Sequence, residues 1–154
     1  MTRMKLWMML GTAVVATCLL AGCSGALNRL IGDGNMSAEI GGSNWESTAS
    51  NVRFEGNTVV LSGSDYKGRA ITITLSDRAS LPTMVMLGTA AGVATYTPKV
   101  TAPDDTYTTF TNSGTVQVES ITTGAIKGTF NFRAKKTDGT EVVIDFGRFN
   151  LRTD

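Results

Sequence analysis

Hydrophobic and polar positions alternate with a period of two residues through most of the chain after residue 35. In segments 36–40 and 71–76, methionine, alanine, isoleucine and leucine alternate with serine, threonine and glutamate. Successive side chains of a β-strand point to opposite faces, so this period is typical of strands with one buried face. No 10-residue stretch of the same region repeats its apolar positions as an amphipathic helix would. The pattern therefore predicts an all-β fold.

The last third of the chain has the most regular pattern. One face of a predicted strand carries Ile126, Gly128, Phe130, Phe132 and Ala134. Asp138-Gly139 follows, and such a pair between two alternating segments predicts a β-hairpin. The alternation then resumes, which predicts that Val142, Ile144 and Phe146 also point inward.

Turn signals separate these segments, which predicts an antiparallel meander forming a sandwich or a small lipocalin-like barrel. We assign residues 36–154 to this single all-β domain. The stretch from Leu81 to Val93 has no clean period and contains two glycines. It fits either a short helix opened by Pro82 or a strand followed by a loop.

The first 22 residues are patterned as a secretory signal. Arg3 and Lys5 precede an apolar run from Leu6 to Leu20, which is shorter than the ~20 residues of a membrane-spanning helix. Its exit, Leu20-Ala21-Gly22-Cys23, resembles the lipobox of bacterial lipoproteins. The resemblance implies cleavage before Cys23, a diacylglyceryl group on its sulfur and an acyl group on its amine. A signal cut by the general peptidase, a membrane anchor and a buried helix are the alternatives.

The lipoprotein interpretation divides the chain into a signal peptide over residues 1–22, a lipidated tether over 23–35 and the domain. The tether ends in Gly32-Asp33-Gly34-Asn35, which breaks any helix. The membrane is then a partner through the lipid anchor, and the location is the bacterial cell envelope. Ser24 replaces the Asp that tends to hold enterobacterial lipoproteins at the inner membrane, so the resemblance implies the outer membrane.

The C-terminal hairpin carries a second resemblance. Ile126-Lys127-Gly128-Thr129-Phe130-Asn131-Phe132 is followed by Asp138-Gly139 and by Phe146-Gly147-Arg148-Phe149-Asn150. This pattern, with Gly114-Thr115-Val116 and Trp45, is similar to that of an uncharacterised group of small all-β bacterial lipoproteins best known from Bacteroidetes. That group's usual Asn-Gly before the last phenylalanine is Phe146-Gly147 here. Because the group has no established activity, the resemblance implies a fold and an anchor and no catalytic role.

Composition excludes several classes of function. The 154 residues include no histidine, the commonest general base and metal ligand. Cleavage would remove Arg3, Lys5 and Cys18, leaving 12 of the 14 basic residues against 13 acidic ones. A nucleic-acid surface needs an excess of basic residues, which such a near-neutral chain lacks. Acylation of Cys23 would leave no free thiol to form a disulfide. We therefore expect no nucleic-acid partner, no metal and no cofactor.

Short patterns that suggest chemistry have simpler interpretations. Ser64-Asp65-Tyr66-Lys67 fits the Ser-x-x-Lys pattern of penicillin-interacting enzymes, but lies in a predicted turn rather than at a helix start. Asp104-Asp105 lies in a Pro-bounded loop without the spaced carboxylates that Ca²⁺ requires. An enzyme would need a carboxylate pair such as Glu39 and Asp145 to meet in a cleft. No catalytic residue is predicted.

The aromatic residues give the strongest case for a ligand. Trp45, Phe130, Phe132 and Phe146 either fill a core or line a small apolar cavity in an open-mouthed barrel. Small barrels usually fill their interiors with side chains, which favours the core. The predicted function is a non-catalytic binding or structural module, with its protein or small-ligand partner unknown. The alternative is a lipocalin-like carrier of a small apolar ligand.

Overall fold

The computed structural model describes residues 34–153. They form ten strands: β1 (Asn35–Ile40), β2 (Ser43–Glu46), β3 (Ala49–Glu55), β4 (Thr58–Ser64), β5 (Ala70–Leu75), β6 (Met84–Leu87), β7 (Gly92–Thr97), β8 (Tyr107–Ile121), β9 (Ala125–Lys135) and β10 (Glu141–Arg152). Two short 3-10 helices, Arg78–Ser80 and Pro103–Asp105, lie between strands. Within 34–153 no helix has the length and apolar character needed to cross a membrane. The predicted signal peptide, most of the tether and the lipobox with Cys23 lie outside the described residues.

All ten strands belong to one antiparallel sheet, which curls into a half-barrel. The order is β2-β1-β10-β9-β8-β7-β5-β4-β3, and β6 pairs with β8. The two ends of this order, β2 and β3, are consecutive in the chain and are joined by Ser47 and Thr48 alone. The Ser47 N–H donates to the Met36 carbonyl at 2.9 Å and the Thr48 N–H to the Ser64 carbonyl at 2.8 Å. The connection formed by Ser47 and Thr48 is thus hydrogen-bonded to both sides of the sheet. The predicted all-β antiparallel fold is confirmed.

The core fills the inside of the curl. Its largest side chains, which are almost inaccessible to solvent, are Trp45, Phe132, Phe149, Met36, Leu61, Ile71, Ile73, Leu75, Leu87, Ile126, Ile144 and Leu151. Contacts cross the interior: a Cβ added to Gly63 would lie 3.0 Å from Sδ of Met36 and 3.2 Å from Cη2 of Trp45. Burying each large apolar side chain contributes roughly 1.5–3 kcal/mol, so this packing is the main source of stability.

The segment with two open interpretations contains a strand and a turn. β6 ends at Leu87, the chain turns with Gly88 at φ +77°, and β7 begins at Gly92. β6 and β7 both pair antiparallel with β8 and therefore run in the same direction beside it. β7 pairs with the start of β8 and β6 pairs with the stretch that begins at Gly114. Between these two stretches the register of β8 with β9 shifts and Asn112 has φ +53°.

The hairpin of β9 and β10 is confirmed, with Asp138-Gly139 in its connection. Gly139 has φ +87°, and the Thr140 N–H donates to Oδ1 of Asp138 at 2.8 Å. Glycine is suited to this turn because a left-handed backbone is unstrained without a Cβ. The carboxylate of Asp138 satisfies a backbone donor that the turn would otherwise leave free.

Two glycine–phenylalanine pairs hold the hairpin together. Gly147 of β10 is the register partner of Phe130 in β9, and Phe149 of β10 is the partner of Gly128 in β9. Each aromatic ring covers a glycine on the neighbouring strand, and the two rings stack with centroids 6.4 Å apart. The Gly-Thr-Phe and Gly-Arg-Phe segments therefore interlock across the hairpin.

The prediction that Phe146 points inward is wrong. Ile144 pairs with Phe132 and Gly147 with Phe130, so β10 uses one residue more than β9 over this interval. This extra residue is a β-bulge, in which Asp145 and Phe146 together stand opposite Asn131. The bulge reverses the alternation: Phe146 has φ +51° and is 78 % exposed, whereas Gly147 and Phe149 return to the inside.

Candidate functional site

Three of the four aromatic residues considered as ligand contacts are core residues. Trp45, Phe130 and Phe132 are each 2 % exposed. The rings of Phe130 and Phe132 stack with centroids 6.1 Å apart, and Nε1 of Trp45 donates to the carbonyl of Arg69 at 3.4 Å. Phe146, whose ring is on the outside, is the member of the set that a ligand can reach without displacing core side chains.

A shallow surface cavity of about 320 Å³ surrounds the bulge. It is lined by Thr129, Phe130, Asn131, Asp145, Phe146, Gly147 and Arg148. Because Phe130 and Gly147 are buried, the accessible functional groups are a phenyl ring, a carboxylate, a guanidinium, an amide and a hydroxyl. Such a set can bind a small polar molecule that also has an apolar face.

The cavity lies within two rows of outward-facing residues that cross six strands, which we call the outer belt. The register gives one row as Met86, Thr115, Asn131, Asp145 with Phe146, Glu39 and Asn44, and the other as Met84, Gln117, Thr129, Arg148, Ser37 and Glu46. Register partners share a face of the sheet, so these side chains form one surface. Six of its thirteen side chains are amides or hydroxyls, and exposed methionines lie at one end.

The carboxylate pair considered for catalysis does meet in register. Glu39 of β1 is the partner of Asp145 in β10, at the edge of the bulge. The side chain of Glu39 is half-buried and that of Asp145 is exposed. Asp145 lines the shallow cavity around the bulge, and Glu39 is not among the residues that line it.

Ser64-Asp65-Tyr66-Lys67 forms the turn between β4 and β5, as predicted. Oδ1 of Asp65 accepts hydrogen bonds from the backbone N–H of Lys67 at 2.9 Å and of Arg69 at 2.8 Å, and Oδ2 accepts from Nε of Arg69 at 2.7 Å. Burial raises the pKa of Asp65, but these hydrogen bonds and the Arg69 charge outweigh it and hold the pKa below its ordinary value. The buried carboxylate thus organises the turn.

Asp104-Asp105 is an exposed acidic pair. Oδ1 of Asp105 lies 2.7 Å from Nζ of Lys136, and this hydrogen bond raises the pKa of Lys136. Across residues 34–153 no three acidic or thiol side chains are grouped as metal ligands would be. A second shallow cavity of about 240 Å³, lined by Ser50, Ser62, Ser64 and Thr72 among others, contains hydroxyl groups and no charged side chain.

Sequence reasoning missed the polar residues around Phe146. Because the alternating pattern predicts that Phe146 points inward, it gives no reason to group Phe146 with Thr129, Asn131 and Arg148. One signal was present: Gly147 inside an alternating segment indicates a bulge or a close backbone approach. A bulge before Gly147 exposes Phe146 and groups it with these three residues.

Comparison with known proteins identifies one family. A family model described as a domain of unknown function (DUF6252) matches residues 33–150, which include β1 to β9 and nearly all of β10. No curated protein and no solved structure matches the chain. Since the family model covers all of the sheet except the last two residues of β10, the chain belongs to the DUF6252 family.

Proposed function

We propose that this protein is a lipoprotein of the bacterial cell envelope whose sheet acts as a non-catalytic binding or structural module. The observation that carries the proposal is the N-terminal sequence, in which a basic start and an apolar run lead to Leu20-Ala21-Gly22-Cys23. The family match begins at residue 33, ten positions after Cys23. The intervening residues have the composition and length of a tether between an anchor and a folded domain.

Acylation at Cys23 would be sufficient for stable anchoring. Each buried CH₂ of an acyl chain contributes about 0.8 kcal/mol, so one chain binds a membrane weakly and two or three bind it firmly. A diacylglyceryl group on sulfur together with an acylated amine supplies three chains. Ser24 after the cysteine supports placement at the outer membrane rather than the inner one.

A role without catalysis is supported by the chemistry of the described surface. The sequence has no histidine, and Asp145 lines the surface cavity without Glu39, its register partner. The alternative of a lipocalin-like carrier is less well supported, because Trp45, Phe130 and Phe132 pack against other core groups. A binding role is therefore better sought on the outer belt than inside the curl.

The anchor is tested by replacing the acylated residue. The variant Cys23→Ser, expressed beside wild type and the control Ser24→Ala in a Gram-negative host, is followed by metabolic labelling with palmitate and by phase partitioning in Triton X-114. Wild type and Ser24→Ala should carry the label and enter the detergent phase, and Cys23→Ser should do neither. Mass spectrometry showing an unmodified amino terminus downstream of residue 23 in wild type would refute the proposal.

A further inference from the structure

The packing of β9 on β10 requires a bulge before Gly147, but it does not require a phenylalanine in that bulge. A left-handed backbone is rare for a bulky aromatic residue, yet Phe146 has φ +51° within β10. Its ring is 78 % exposed, and within residues 34–153 it takes part in no ring stacking and no cation–π contact. Both features oppose folding, and such strain typically persists where a site uses it. The ring is therefore available to a molecule outside the chain.

The groups beside the ring can bind hydroxyls. Asn131 stands opposite the bulge, Thr129 is the register partner of Arg148, and Asp145 precedes the ring. A carboxylate accepts hydrogen bonds, a guanidinium donates them in pairs, and an amide does both. A molecule with several hydroxyl groups on a rigid ring satisfies all of these partners at once.

Charge narrows the ligand class. The cavity combines one carboxylate, Asp145, with one guanidinium, Arg148. Glu39 of β1, the register partner of Asp145, adds a second carboxylate beside the cavity. With Glu46, the outer belt has three carboxylates against one cation, which disfavours phosphate, sulfate or uronate groups through like-charge repulsion. The carboxylates leave the hydrogen bonds to neutral hydroxyl groups unaffected.

We propose that the outer belt binds a neutral oligosaccharide, with one pyranose ring on Phe146. The C–H face of the sugar stacks on the exposed phenyl ring, and its hydroxyls bind Asp145, Arg148 and Asn131. The cavity of about 320 Å³ is near the lower end of the range of roughly 300–1,000 Å³ for ligand sites, which suits one sugar unit.

The dimensions of the outer belt indicate a chain of sugars. Six adjacent strands spaced about 4.8 Å apart make the belt roughly 24 Å across. Thr115 and Gln117 continue its polar surface on one side of the bulge, and Asn44 does so on the other. The belt can therefore contact units on both sides of the one that stacks on Phe146. The inference rests on the proposed function, since an envelope location gives access to polysaccharides.

The test is affinity electrophoresis of the full-length protein in a detergent without a sugar headgroup. Native gels contain glycogen, xyloglucan, galactomannan or arabinoxylan, with polygalacturonate as the anionic comparator. Wild type should be retarded by at least one neutral polymer and not by polygalacturonate. Phe146→Ala should weaken that binding about tenfold, which corresponds to about 1.4 kcal/mol of lost stacking, while Phe146→Trp should retain it.

The matched control is Tyr66→Ala, which removes another exposed aromatic ring, 80 % exposed, from the β4–β5 turn. Its binding should equal that of wild type. No retardation by any neutral polymer, or equal retardation of Phe146→Ala and wild type, would overturn the proposal. Retardation by polygalacturonate alone would also overturn it. So would light scattering that shows a dimer for wild type and a monomer for Phe146→Ala, because a second copy of the chain would then cover the outer belt.

Failure of this inference is distinguishable from failure of the anchor. Phe146→Ala leaves the N-terminal sequence intact, so it should enter the Triton X-114 phase as wild type does. Thermal unfolding of both variants verifies that they are folded, and replacing Phe146 should not lower the melting temperature because its ring is outside the core. Loss of sugar binding with normal partitioning would support the inference. Normal partitioning without sugar binding by wild type would refute it and leave the lipoprotein proposal standing.

Discussion

Replacing Gly128 by alanine should strongly destabilise the sheet. A Cβ at this position would overlap the carbonyl oxygen of Gln117 and lie 2.5 Å from Cζ of Phe149. The overlap involves the backbone of β8, which cannot move without breaking its pairing with β9. Overpacking usually costs 1–3 kcal/mol, and because a backbone atom is involved here we expect about 3 kcal/mol or more for Gly128→Ala.

The measurement is urea unfolding of the purified protein followed by circular dichroism, with Gly124→Ala as the matched control. Gly124 lies in the β8–β9 connection, and a Cβ there would have nothing within 4 Å. Gly124→Ala should therefore change the free energy of unfolding by less than about 0.5 kcal/mol. A Gly128→Ala variant as stable as this control would show that the glycine does not accommodate the Phe149 ring as described.

A double-mutant cycle tests the contact directly. Phe149→Ala alone should cost about 3–5 kcal/mol, because it removes a buried ring. In the double variant the clash with the Phe149 ring is absent and only the overlap with the Gln117 carbonyl remains, so the loss should be smaller than the sum of the two single losses by about 1 kcal/mol or more. Additive losses would mean that the two residues do not share a contact.

Three further predictions concern buried polar groups and a tight turn. Asp65→Asn should cost about 3 kcal/mol at pH 7, because it leaves the Arg69 guanidinium without its buried partner. Since the folded pKa of Asp65 lies below its ordinary value of 3.8, its contribution is complete above that pH and is lost as pH falls through the folded pKa. Denaturation curves from pH 7 to pH 2 should therefore converge for wild type and Asp65→Asn at the acid end. Ser47→Ala should cost about 1–3 kcal/mol, measured by urea unfolding, because Oγ of Ser47 is the buried acceptor for the Met36 N–H at 2.7 Å. Gly88→Ala should prevent soluble expression, because a Cβ would overlap the Phe110 carbonyl at a left-handed backbone position.

The fold class could be predicted because strands and hairpin turns depend on residues that are close together in the sequence. Alternation in segment 71–76 reflects the pleat of a strand with one buried face, and Asp138-Gly139 reflects the left-handed backbone that a hairpin connection needs. The closure of the sheet could not be predicted. It depends on Ser47 and Thr48 binding strands that are distant in sequence, and no periodicity encodes such a pairing.

The exposed site could not be predicted from the alternation, because a single bulge changes which face of the sheet every later side chain in the strand points to. Strand alternation assumes that each residue advances the face by one, so an unrecognised extra residue assigns a side chain to the wrong side of the sheet. For this reason the alternation places Phe146 in the core, and it gives no indication that an aromatic ring and polar side chains share the outer face. In β8 the converse holds: Asn112-Ser113-Gly114 has the composition of a turn but lies within a 15-residue strand.

In the β9–β10 hairpin, the residues that maintain the fold lie on the inside of the sheet and the ring available for binding lies on the outside. Gly128, Phe130, Gly147 and Phe149 are required on the inside, because each ring occupies the space that a neighbouring Cβ would need. Forming the bulge is what brings Gly147 opposite Phe130, and the same bulge exposes Phe146. The packing motif and the surface platform are therefore two consequences of one extra residue in β10. Removing that residue should abolish both together, whereas changing the phenyl ring of Phe146 alone should affect only the surface.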